Sequence, residues 1–457
     1  MHSLGSVLNK RWVFFLCLVV FYSITLSKVY LYFCLLTDLI ILISICFKGS
    51  SSRQITGILE FVFLSILMPD NYVIILAITA CAIFSFRYLH ISKFAPLLIF
   101  ALAFLLFNSI YNSVPIQNIV MWAIYFLPFP MIFCSLFLLS KYGMDLRPTI
   151  LLLCKRLILV EAASVIVFAL THLDLVVTYE DMDWVVGTLG EYQANTLMCL
   201  SSFALLVFSS TVRAGNKENI FWCVIALLLM VSTSSVSYIL VFCAAAVLVA
   251  LFSSSIKNRE KLVIFGVLIT GASLFVLISP SWISHDILSM LKPEYAAARF
   301  KKLDYYKDTF IELPRDFGID AALFGTGVGT YSSRAALTCA GGYIGIYDDF
   351  IEPVSSPARK KYFSDEERWR GLASMADSSI ISVQGEFGYI GTLMLISFFL
   401  LLLRKSNDSC YRICLLFFIG LLFVDNALEY AKFFSAFSLT RLYLLKPSAK
   451  AIEPVIC

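Results

Sequence analysis

The sequence predicts an all-α polytopic membrane protein, and three observations lead to this fold class. Hydrophobic residues make up 60% of the 457 residues and charged residues only 14%, whereas soluble domains contain roughly 45–50% and 25%. Apolar runs of about 17–25 residues recur along the chain, and a helix of that length crosses about 30 Å of hydrocarbon. Alternate short loops carry Lys and Arg, which favour the cytoplasmic side of a membrane.

The apolar runs set the approximate bounds of about fourteen transmembrane helices. The first run follows Lys10 and Arg11. Because no small-residue cleavage site follows it and the next run begins almost at once, we interpret it as a retained helix rather than a signal peptide. The predicted spans are 12–27, 29–47, 55–69, 71–86, 94–110, 116–139, 148–170, 195–211, 219–235, 237–254, 262–280, 378–403, 413–428 and 432–446.

The basic loops set the predicted orientation. We expect both termini to be cytoplasmic and the segments 171–194 and 281–377 to lie outside. The net charge of +4 is spread over the inner loops and the long outer segment, so it reflects topology and predicts no nucleic-acid partner. Two or more Lys or Arg residues occur in each of the loops 48–53, 87–93, 141–147, 212–217, 256–261 and 404–412.

Three regions follow from this topology. Residues 1–280 are a transmembrane helical region of about eleven spans, with a small acidic outer loop at 171–194. Residues 281–377 form a large outer loop, and residues 378–457 form the C-terminal transmembrane helices and a cytoplasmic tail. The large loop is rich in Tyr, Phe, Leu and Trp, so we expect it to fold against the membrane rather than act as a linker.

Within the large loop, a helix is predicted at 292–313 because apolar residues recur every three or four positions. Pro314 and Gly318 are expected to end it. The opposite face is basic, which suits either solvent or an anionic membrane surface. The apolar positions are Ala296, Phe300, Leu303, Tyr306, Phe310 and Leu313, and the basic positions are Arg299, Lys301, Lys302 and Lys307.

The stretch LFGTGVGTY at 323–331 spaces three glycines two residues apart, at Gly325, Gly327 and Gly329. This spacing matches neither the dinucleotide fingerprint nor the P-loop, and the predicted outer location is the wrong side for ATP or NAD. We therefore predict no nucleotide cofactor. Glycine permits positive φ, so successive amide N–H groups could line a concavity for an anion. An ordinary glycine-rich turn is the alternative.

A fixed order of motifs occupies the second half of the chain. VGTLGEYQANTLMCL enters a span, and LLMVSTSSVSYIL is a Ser-rich span. Further on come an Arg and a hydrophobic helix, then LFGTGVGTY, then ADSSIISVQGEFGYIGTLML at the start of another span. Over roughly residues 185–400 this order resembles the O-antigen polymerase and ligase family, although the Arg often found in the Ser-rich span is absent. The first six spans share only hydrophobicity with that family.

The resemblance implies a GT-C-like glycosyltransferase of the bacterial inner membrane that works on the periplasmic face. Its donor would be a glycan carried on undecaprenyl diphosphate, transferred to a sugar hydroxyl of a lipid-linked repeat unit. Membrane lipids and a chain-length regulator protein are the other partners that the resemblance allows. Ligases of the group typically have His followed by Asn where this chain has Ala376 and Asp377. This difference favours a polymerase of O-antigen or another surface polysaccharide over an O-antigen ligase.

Two catalytic residues are predicted from the resemblance and from the chemistry of the reaction. Arg299 is the best match for an Arg that binds the lipid diphosphate, because a guanidinium makes paired hydrogen bonds to phosphate and stays charged. Asp377 could accept the proton of the attacking hydroxyl. The alternative interpretations are an exposed cation for Arg299 and a helix N-cap for Asp377.

Further residues are predicted to bind substrate. Arg334 follows the glycines and is the second candidate for the diphosphate, with an exposed cation as its alternative. Glu386 would lie at headgroup depth or below, where an ionisable group is costly and often functional, although a structural contact between helices explains it equally well. The remaining predicted substrate contacts are Asn195, Gly325, Gly327, Gly329 and Tyr331.

No metal site is predicted. The D-x-D spacing in EDMD, 180–183, can hold a divalent cation, but two carboxylates are a weak signal and an acidic solvated loop is favoured. The rival function is a transporter or flippase for a lipid-linked or anionic solute, because several polar residues and prolines in the helices could line a path. These residues are Asp38, Glu60, Pro128, Pro130, Arg156 and Asp425. For Lys155 and Arg156, snorkelling to the cytoplasmic interface is predicted.

Overall fold

The computed structural model describes residues 10–48, 51–68, 95–126, 145–172, 187–189, 193–233, 235–252, 303–340, 355–363, 378–404 and 408–445. Every regular element in these residues is helical, which confirms the predicted all-α fold class. The helices are α1 (Lys10–Thr25), α2 (Val29–Lys48), α3 (Ser51–Ile66), α4 (Ala95–Tyr111), α5 (Ile116–Phe126), α6 (Arg147–Thr171), α7 (Ala194–Arg213), α8 (Ile220–Ser232), α9 (Val236–Phe252), α10 (Leu313–Phe324), α11 (Arg334–Cys339), α12 (Pro357–Phe363), α13 (Ser379–Leu403), α14 (Ser409–Val424) and α15 (Ala431–Leu444).

The helices follow the predicted spans closely. Spans 71–86 and 262–280 lie outside the described residues, and each of the others overlaps a helix. Two helices, α7 and α13, are long and apolar enough to cross a membrane, while α1, α3, α5, α9 and α14 contain shorter apolar stretches. The number of fourteen crossings therefore stays a prediction.

Helix α7 lies at the centre of the bundle and packs against α6, α8, α14 and α15. Ser201, Ser202 and Ala204 are buried along it, and such small residues let neighbouring helices approach closely. Between them, the ring of Phe203 contacts Phe417 of α14, with centroids 5.5 Å apart. The core therefore combines small residues at helix crossings with aromatic rings that fill the space between them.

Around the apolar core of the described residues, many large apolar side chains are also exposed on the helices, and several ionisable side chains are buried. Ile110 and Phe252 are 77% and 81% exposed, whereas Glu161 and Glu386 are 0% and Lys432 is 1% exposed. This is the reverse of a water-soluble surface, on which large exposed apolar patches are rare. It is the distribution expected of helices that face lipid and keep their ionisable groups inside the bundle.

The connections between helices gather at two ends of the bundle. At one end Thr188 Oγ1 donates to the carbonyl of Leu67 (2.8 Å), and Lys432 Nζ donates to the carbonyl of Met68 (2.5 Å). Thr188, Leu67 and Met68 lie in connections that the basic-loop pattern places outside, and Lys432 lies in the first turn of α15, next to the α14–α15 connection. The loop between α4 and α5 and the loop between α14 and α15 join the same end through contacts described below.

The opposite end collects connections that the pattern places inside. Arg213, in the last turn of α7, lies 4.0 Å from Cys410 Sγ in the first turn of α14. Tyr411 of α14 donates its hydroxyl hydrogen to the carbonyl of Leu402 near the end of α13 (3.0 Å). The up-and-down order of the helices therefore agrees with the alternation of basic and non-basic loops.

In the segment 281–377, the described residues are helical from 303 to 324, and this helix differs from the prediction in two ways. Pro314 does not end the helix. It lies in the first turn of α10, directly after a π-helical turn at Asp308–Glu312, and the first turn of a helix tolerates a residue without an N–H. The break comes at Gly318, whose φ is 86°.

The buried face of this segment matches the predicted one only in part, since Leu313 is buried and Tyr306 and Phe310 pack half-buried against the helix bundle. Leu303 is 56% exposed, while Tyr305, Thr309 and Leu313 are buried. The ring of Tyr305 stacks on Phe363 of α12, with centroids 5.2 Å apart. Packing against a distant helix thus selects the buried face, and the π turn shifts the helical register after residue 308.

Candidate functional site

The glycine loop, residues 325–333, connects α10 to α11 and lies on α13. Gly325, Gly327 and Gly329 all have positive φ, at 73°, 108° and 63°. The N–H of Thr326 donates to the carbonyl of Gly385 (2.8 Å), and the N–H of Gly327 donates to the carbonyl of Glu386 (3.2 Å). The glycines let this backbone run directly against a helix backbone.

The carbonyls on α13 are available because the helix is broken two residues later. Gly388 has φ 65° and ψ −164°, which interrupts the helical hydrogen bonds around it. Carbonyls that lose their helical partner must find another donor. Asn108 of α4 supplies one, because its Nδ2 donates to the carbonyls of Glu386 (3.2 Å) and Phe324 (2.5 Å).

The carboxylate of Glu386 occupies the concave side of the glycine loop. Its Oε2 accepts from the N–H of Gly329 (2.9 Å), and its Oε1 accepts from the N–H groups of Tyr331 and Ser333 (3.4 Å each). The glycine loop thus presents successive amides to an anion, as the sequence suggested. In the structure that anion is a buried carboxylate of the same chain.

A second carboxylate reaches the end of the loop from the connection between α14 and α15. Glu429 Oε2 accepts from the N–H of Arg334 (2.6 Å). The guanidinium of Arg334 lies over the ring of Tyr430, 3.8 Å from its centroid. Arg334 is half-buried, so it is not the exposed cation of the alternative interpretation.

Tyr331 and Arg359 form the buried back of the loop. Tyr331 is 0% exposed, its hydroxyl is 3.0 Å from Thr309 Oγ1, and its ring fills the space where a side chain at Gly385 would lie. Arg359 of α12 donates to the carbonyl of Tyr331. Burial raises the pKa of the Tyr331 hydroxyl, and burial lowers the pKa of Arg359 to about 10, a shift that the nearby Glu386 opposes. Arg359 therefore stays charged at neutral pH.

The Ser-rich start of α13 joins the glycine loop to the α14–α15 connection. Ser382 Oγ lies 3.1 Å from Ser332 Oγ and donates to Asn426 Oδ1 (3.3 Å). Ser379 Oγ accepts from the N–H of Leu428 (3.0 Å). Three separate stretches of the chain thus meet at one polar junction.

The N-cap of α13 is Ser378, whose side chain accepts from the N–H of Ile381 (3.4 Å). The alternative interpretation of Asp377 as the cap is therefore wrong, since the capping position is the next residue. Asp377 itself lies outside the described residues, as does Arg299. Their predicted catalytic roles stay predictions.

Of the other predicted site residues, six lie together and one lies apart. Gly325, Gly327, Gly329, Tyr331, Arg334 and Glu386 come together around the glycine loop. Asn195 is exposed in the first turn of α7.

Sequence reasoning missed several residues of the site. Asn118 of α5 donates through Nδ2 to the carbonyl of Gly329 (2.5 Å), and Asn108, Arg359, Glu429 and Tyr430 act as described above. The available signal was the position of Glu429, a carboxylate close to the predicted final spans, where ionisable groups are often functional.

A further buried polar group lies at the same end of the bundle. The carboxylate of Glu161 in α6 accepts from the N–H (3.0 Å) and the hydroxyl (2.5 Å) of Thr188. Thr188 lies in the Gly-containing segment at 186–200 that carries part of the family resemblance. These bonds attach that segment to the helix bundle.

The buried position of Arg156 contradicts another prediction. It does not snorkel to an interface: it is 4% exposed, its Nη1 bonds Glu60 of α3 (2.8 Å), and its guanidinium lies 4.8 Å from the ring centroid of Trp12. Lys155 is half-buried, with its Nζ 5.8 Å from the ring centroid of Trp222. The sequence could not show that α3 brings a carboxylate to Arg156.

Comparisons with protein-family models, curated proteins and solved structures found no match to this chain. Among the described residues, no group of three or more His, Cys, Asp or Glu side chains could hold a metal ion.

Proposed function

We propose that this protein is a membrane glycosyltransferase that polymerises lipid-linked repeat units of a surface polysaccharide. The observation that carries the proposal is the polar junction around the glycine loop. The loop with Arg334, the Ser-rich start of α13 and the α14–α15 connection meet at the end of the bundle where the connections predicted to lie outside gather. The motifs that resemble O-antigen polymerases, at 323–331 and in the described residues 378–395, are therefore neighbours in space as well as in order.

The proposed reaction transfers a glycan from undecaprenyl diphosphate to a sugar hydroxyl of a second lipid-linked unit. The acceptor oxygen forms a bond to the anomeric carbon, the bond from that carbon to the phosphate oxygen breaks, and the lipid diphosphate leaves with the bonding electrons. The hydroxyl proton passes to a carboxylate, for which Asp377 is the candidate. Because diphosphate is a good leaving group, the main tasks are to bind its charge and to orient the acceptor.

The described residues supply a suitable cation for that charge. The guanidinium of Arg334 is packed on Tyr430, and a planar guanidinium binds phosphate through two parallel hydrogen bonds. Arg299, the better match to the family's Arg, lies outside the described residues and stays a candidate for the same charge. In this proposal the site faces the periplasm, the chain is a multi-pass protein of the bacterial inner membrane, and both termini are cytoplasmic. The finer GT-C-like assignment with about fourteen crossings belongs to the same proposal.

A transporter or flippase is the second candidate, because ionisable residues are buried within the helices. Arg156 is paired with Glu60, and Tyr238 donates its hydroxyl hydrogen to Asp425. Buried ionisable residues in membrane helices often mark a solute path. An O-antigen ligase is disfavoured by Ala376 and Asp377, which replace the His and Asn typical of ligases.

Reconstitution tests the proposal directly. The purified chain in liposomes, given an undecaprenyl-diphosphate-linked repeat unit, should form longer lipid-linked glycans and release undecaprenyl diphosphate. Arg334→Ala should lower the rate about 100-fold, as expected for loss of one charge-stabilising group. Arg315→Ala is the matched control, because Arg315 lies in the same outer segment and its side chain is 78% exposed. Movement of the glycolipid across the bilayer without elongation would instead favour the flippase.

A further inference from the structure

Two buried carboxylates from different elements hold one short segment of backbone, residues 329–334. Glu386 of α13 accepts from the N–H groups of Gly329, Tyr331 and Ser333. Glu429 of the α14–α15 connection accepts from the next N–H, that of Arg334. The segment is thus fixed from two sides by groups that are 57 and 95 residues away in sequence.

The burial of these carboxylates makes the arrangement energetically demanding. Glu386 is 0% exposed and Glu429 is 4% exposed. A buried carboxylate is costly unless several donors satisfy it, and hydrogen bonds to an ionised acceptor are the strong ones. The carboxylates and the amides therefore depend on each other, and the segment has little freedom to move.

Arg334 is the residue on which this arrangement converges. Its backbone N–H is bound by Glu429. Its guanidinium lies on the ring of Tyr430, the residue that follows Glu429 in the sequence. The preceding residues are held by Glu386. The backbone and the side chain of Arg334 are thus both located by residues outside its own helix.

We propose that Glu386 and Glu429 are positioning residues, which hold the segment 329–334 so that the Arg334 guanidinium is fixed against Tyr430 as the cation for the lipid diphosphate. The assignment of the anion rests on the proposed function. Under this proposal Glu386 acts through the loop and does not bind substrate itself, which replaces its predicted role as a substrate contact.

Hydrogen exchange followed by mass spectrometry tests the positioning independently of any activity. In the purified chain, Glu386→Gln should speed exchange of the amides of residues 329–333 about 10-fold or more, because one of the two acceptor oxygens that bind these amides is lost. The Gln side chain keeps one acceptor oxygen, and its NH₂ group cannot accept from an N–H. Glu429→Gln should speed exchange at Arg334.

The matched control is Glu312→Gln, a Glu in the same outer segment that pairs with Lys307 and Arg315 on the surface. It should leave exchange of the segment 329–334 unchanged. Unchanged exchange in both Glu386→Gln and Glu429→Gln would overturn the inference. Should Glu386→Gln fail to fold, Glu386→Asp and Glu429→Gln apply the same test.

A double-mutant cycle then tests whether Glu386 acts through Arg334. The probe is undecaprenyl diphosphate, with its affinity measured for the wild type, Glu386→Gln, Arg334→Lys and the double variant. Arg334→Lys keeps the charge but not the paired geometry. If Glu386 positions Arg334, each single change should weaken binding about 10-fold, and the double variant should bind no more weakly than Arg334→Lys alone.

The outcomes separate this inference from the proposed function. If the losses of affinity from Glu386→Gln and Arg334→Lys multiply in the double variant, the two residues act independently. That result would overturn the positioning role, even if amide exchange is faster. A wild-type chain that does not bind undecaprenyl diphosphate would overturn the proposed function and the anion assigned to Arg334. In that case the exchange experiment would still decide whether the two carboxylates hold the segment.

Discussion

At the scale of single residues, the three glycines of the loop meet two kinds of neighbour, backbone atoms and a side chain. A Cβ on Gly325 would lie 2.3 Å from the carbonyl carbon of Glu386, and one on Gly329 would lie 2.8 Å from the carbonyl oxygen of Asn118. A Cβ on Gly327 would lie 2.4 Å from Val114 Cγ2. Backbone atoms cannot move aside as a side chain can, so Gly325 is the least replaceable of the three.

Substitution of these glycines should therefore lower turnover or thermal stability. Gly327→Val should abolish turnover, and Gly325→Ala should lower thermal stability more than the positive-φ cost of about 1–2 kcal/mol. Gly215→Ala is the control, because Gly215 also has positive φ, at 99°, but nothing lies within 4 Å of its Cβ position. Turnover and thermal unfolding in detergent measure both effects. Equal destabilisation by Gly325→Ala and Gly215→Ala would contradict the close approach to α13.

Asp377 and Ser378 can be separated by a pair of substitutions. Because Ser378 caps α13 and its buried hydroxyl also donates to the carbonyl of Leu422, Ser378→Ala should lower stability by more than the roughly 1 kcal/mol of a lost cap. Asp377→Asn should leave stability unchanged and, if Asp377 is the base, should remove turnover. Rate against pH in a residually active Asp377→Asn protein should then lack the acidic limb. Normal turnover by Asp377→Asn would exclude proton transfer to this residue.

At the scale of elements, the break in α13 creates the site. Gly388 ends the regular helix on the side where the glycine loop lies, and the carbonyls of Gly385 and Glu386 accept from that loop. A Cβ on Gly388 would lie 2.4 Å from the carbonyl carbon of Leu323 at the end of α10. Two helices, α10 and α13, thus touch through backbone at their broken or terminal turns.

The pairing of α3 with α6 is a second element-scale contact with a measurable consequence. Arg156→Leu should destabilise the protein by about 3–5 kcal/mol, because it leaves the carboxylate of Glu60 without its buried counter-charge. The double variant Glu60→Leu/Arg156→Leu should be markedly more stable than Arg156→Leu, since it buries no unpaired charge. Thermal unfolding of both variants is the measurement. A double variant no more stable than the single one would show that the pair itself holds α3 on α6.

At the scale of the whole molecule, the two ends of the bundle are chemically distinct. The short connections with few basic residues meet around Thr188 and Lys432, at the end that also holds the glycine loop of the long segment 281–377, and the short basic connections meet around Arg213 and Cys410. Such segregation is expected of a chain whose loops are sorted by the positive-inside rule. Under the proposed topology, the candidate site would face the non-cytoplasmic side.

Cysteine labelling tests this orientation. The thirteen native cysteines are replaced, and single cysteines are introduced at Glu180, Gly345, Ser50 or Lys257. The first two should react with an impermeant reagent in intact cells, and the last two only after permeabilisation. Labelling of position 345 from the inside alone would remove the periplasmic mechanism and reopen a nucleotide-binding role for the glycine loop.

The sequence by itself determined the all-α class, the bounds of most described helices and the position of the glycine loop along the chain. These features follow from local properties: the length of apolar runs, the spacing of basic loops and the backbone freedom of glycine. Even within a helix, however, the sequence missed part of the buried face, because the burial of Tyr305 depends on Phe363, 58 positions later in the numbering.

Only the tertiary structure decided which groups face one another at the site. Glu386 meets the loop amides across 57 residues, Glu429 meets Arg334 across 95, and Arg156 meets Glu60 across 96. The sequence around a carboxylate does not show which donors will bond it, because those donors come from whichever helices pack beside it. The cost of burying a charge without a partner nevertheless demands that such donors exist. The loop amides that were predicted to bind an anion therefore bind the protein's own carboxylates.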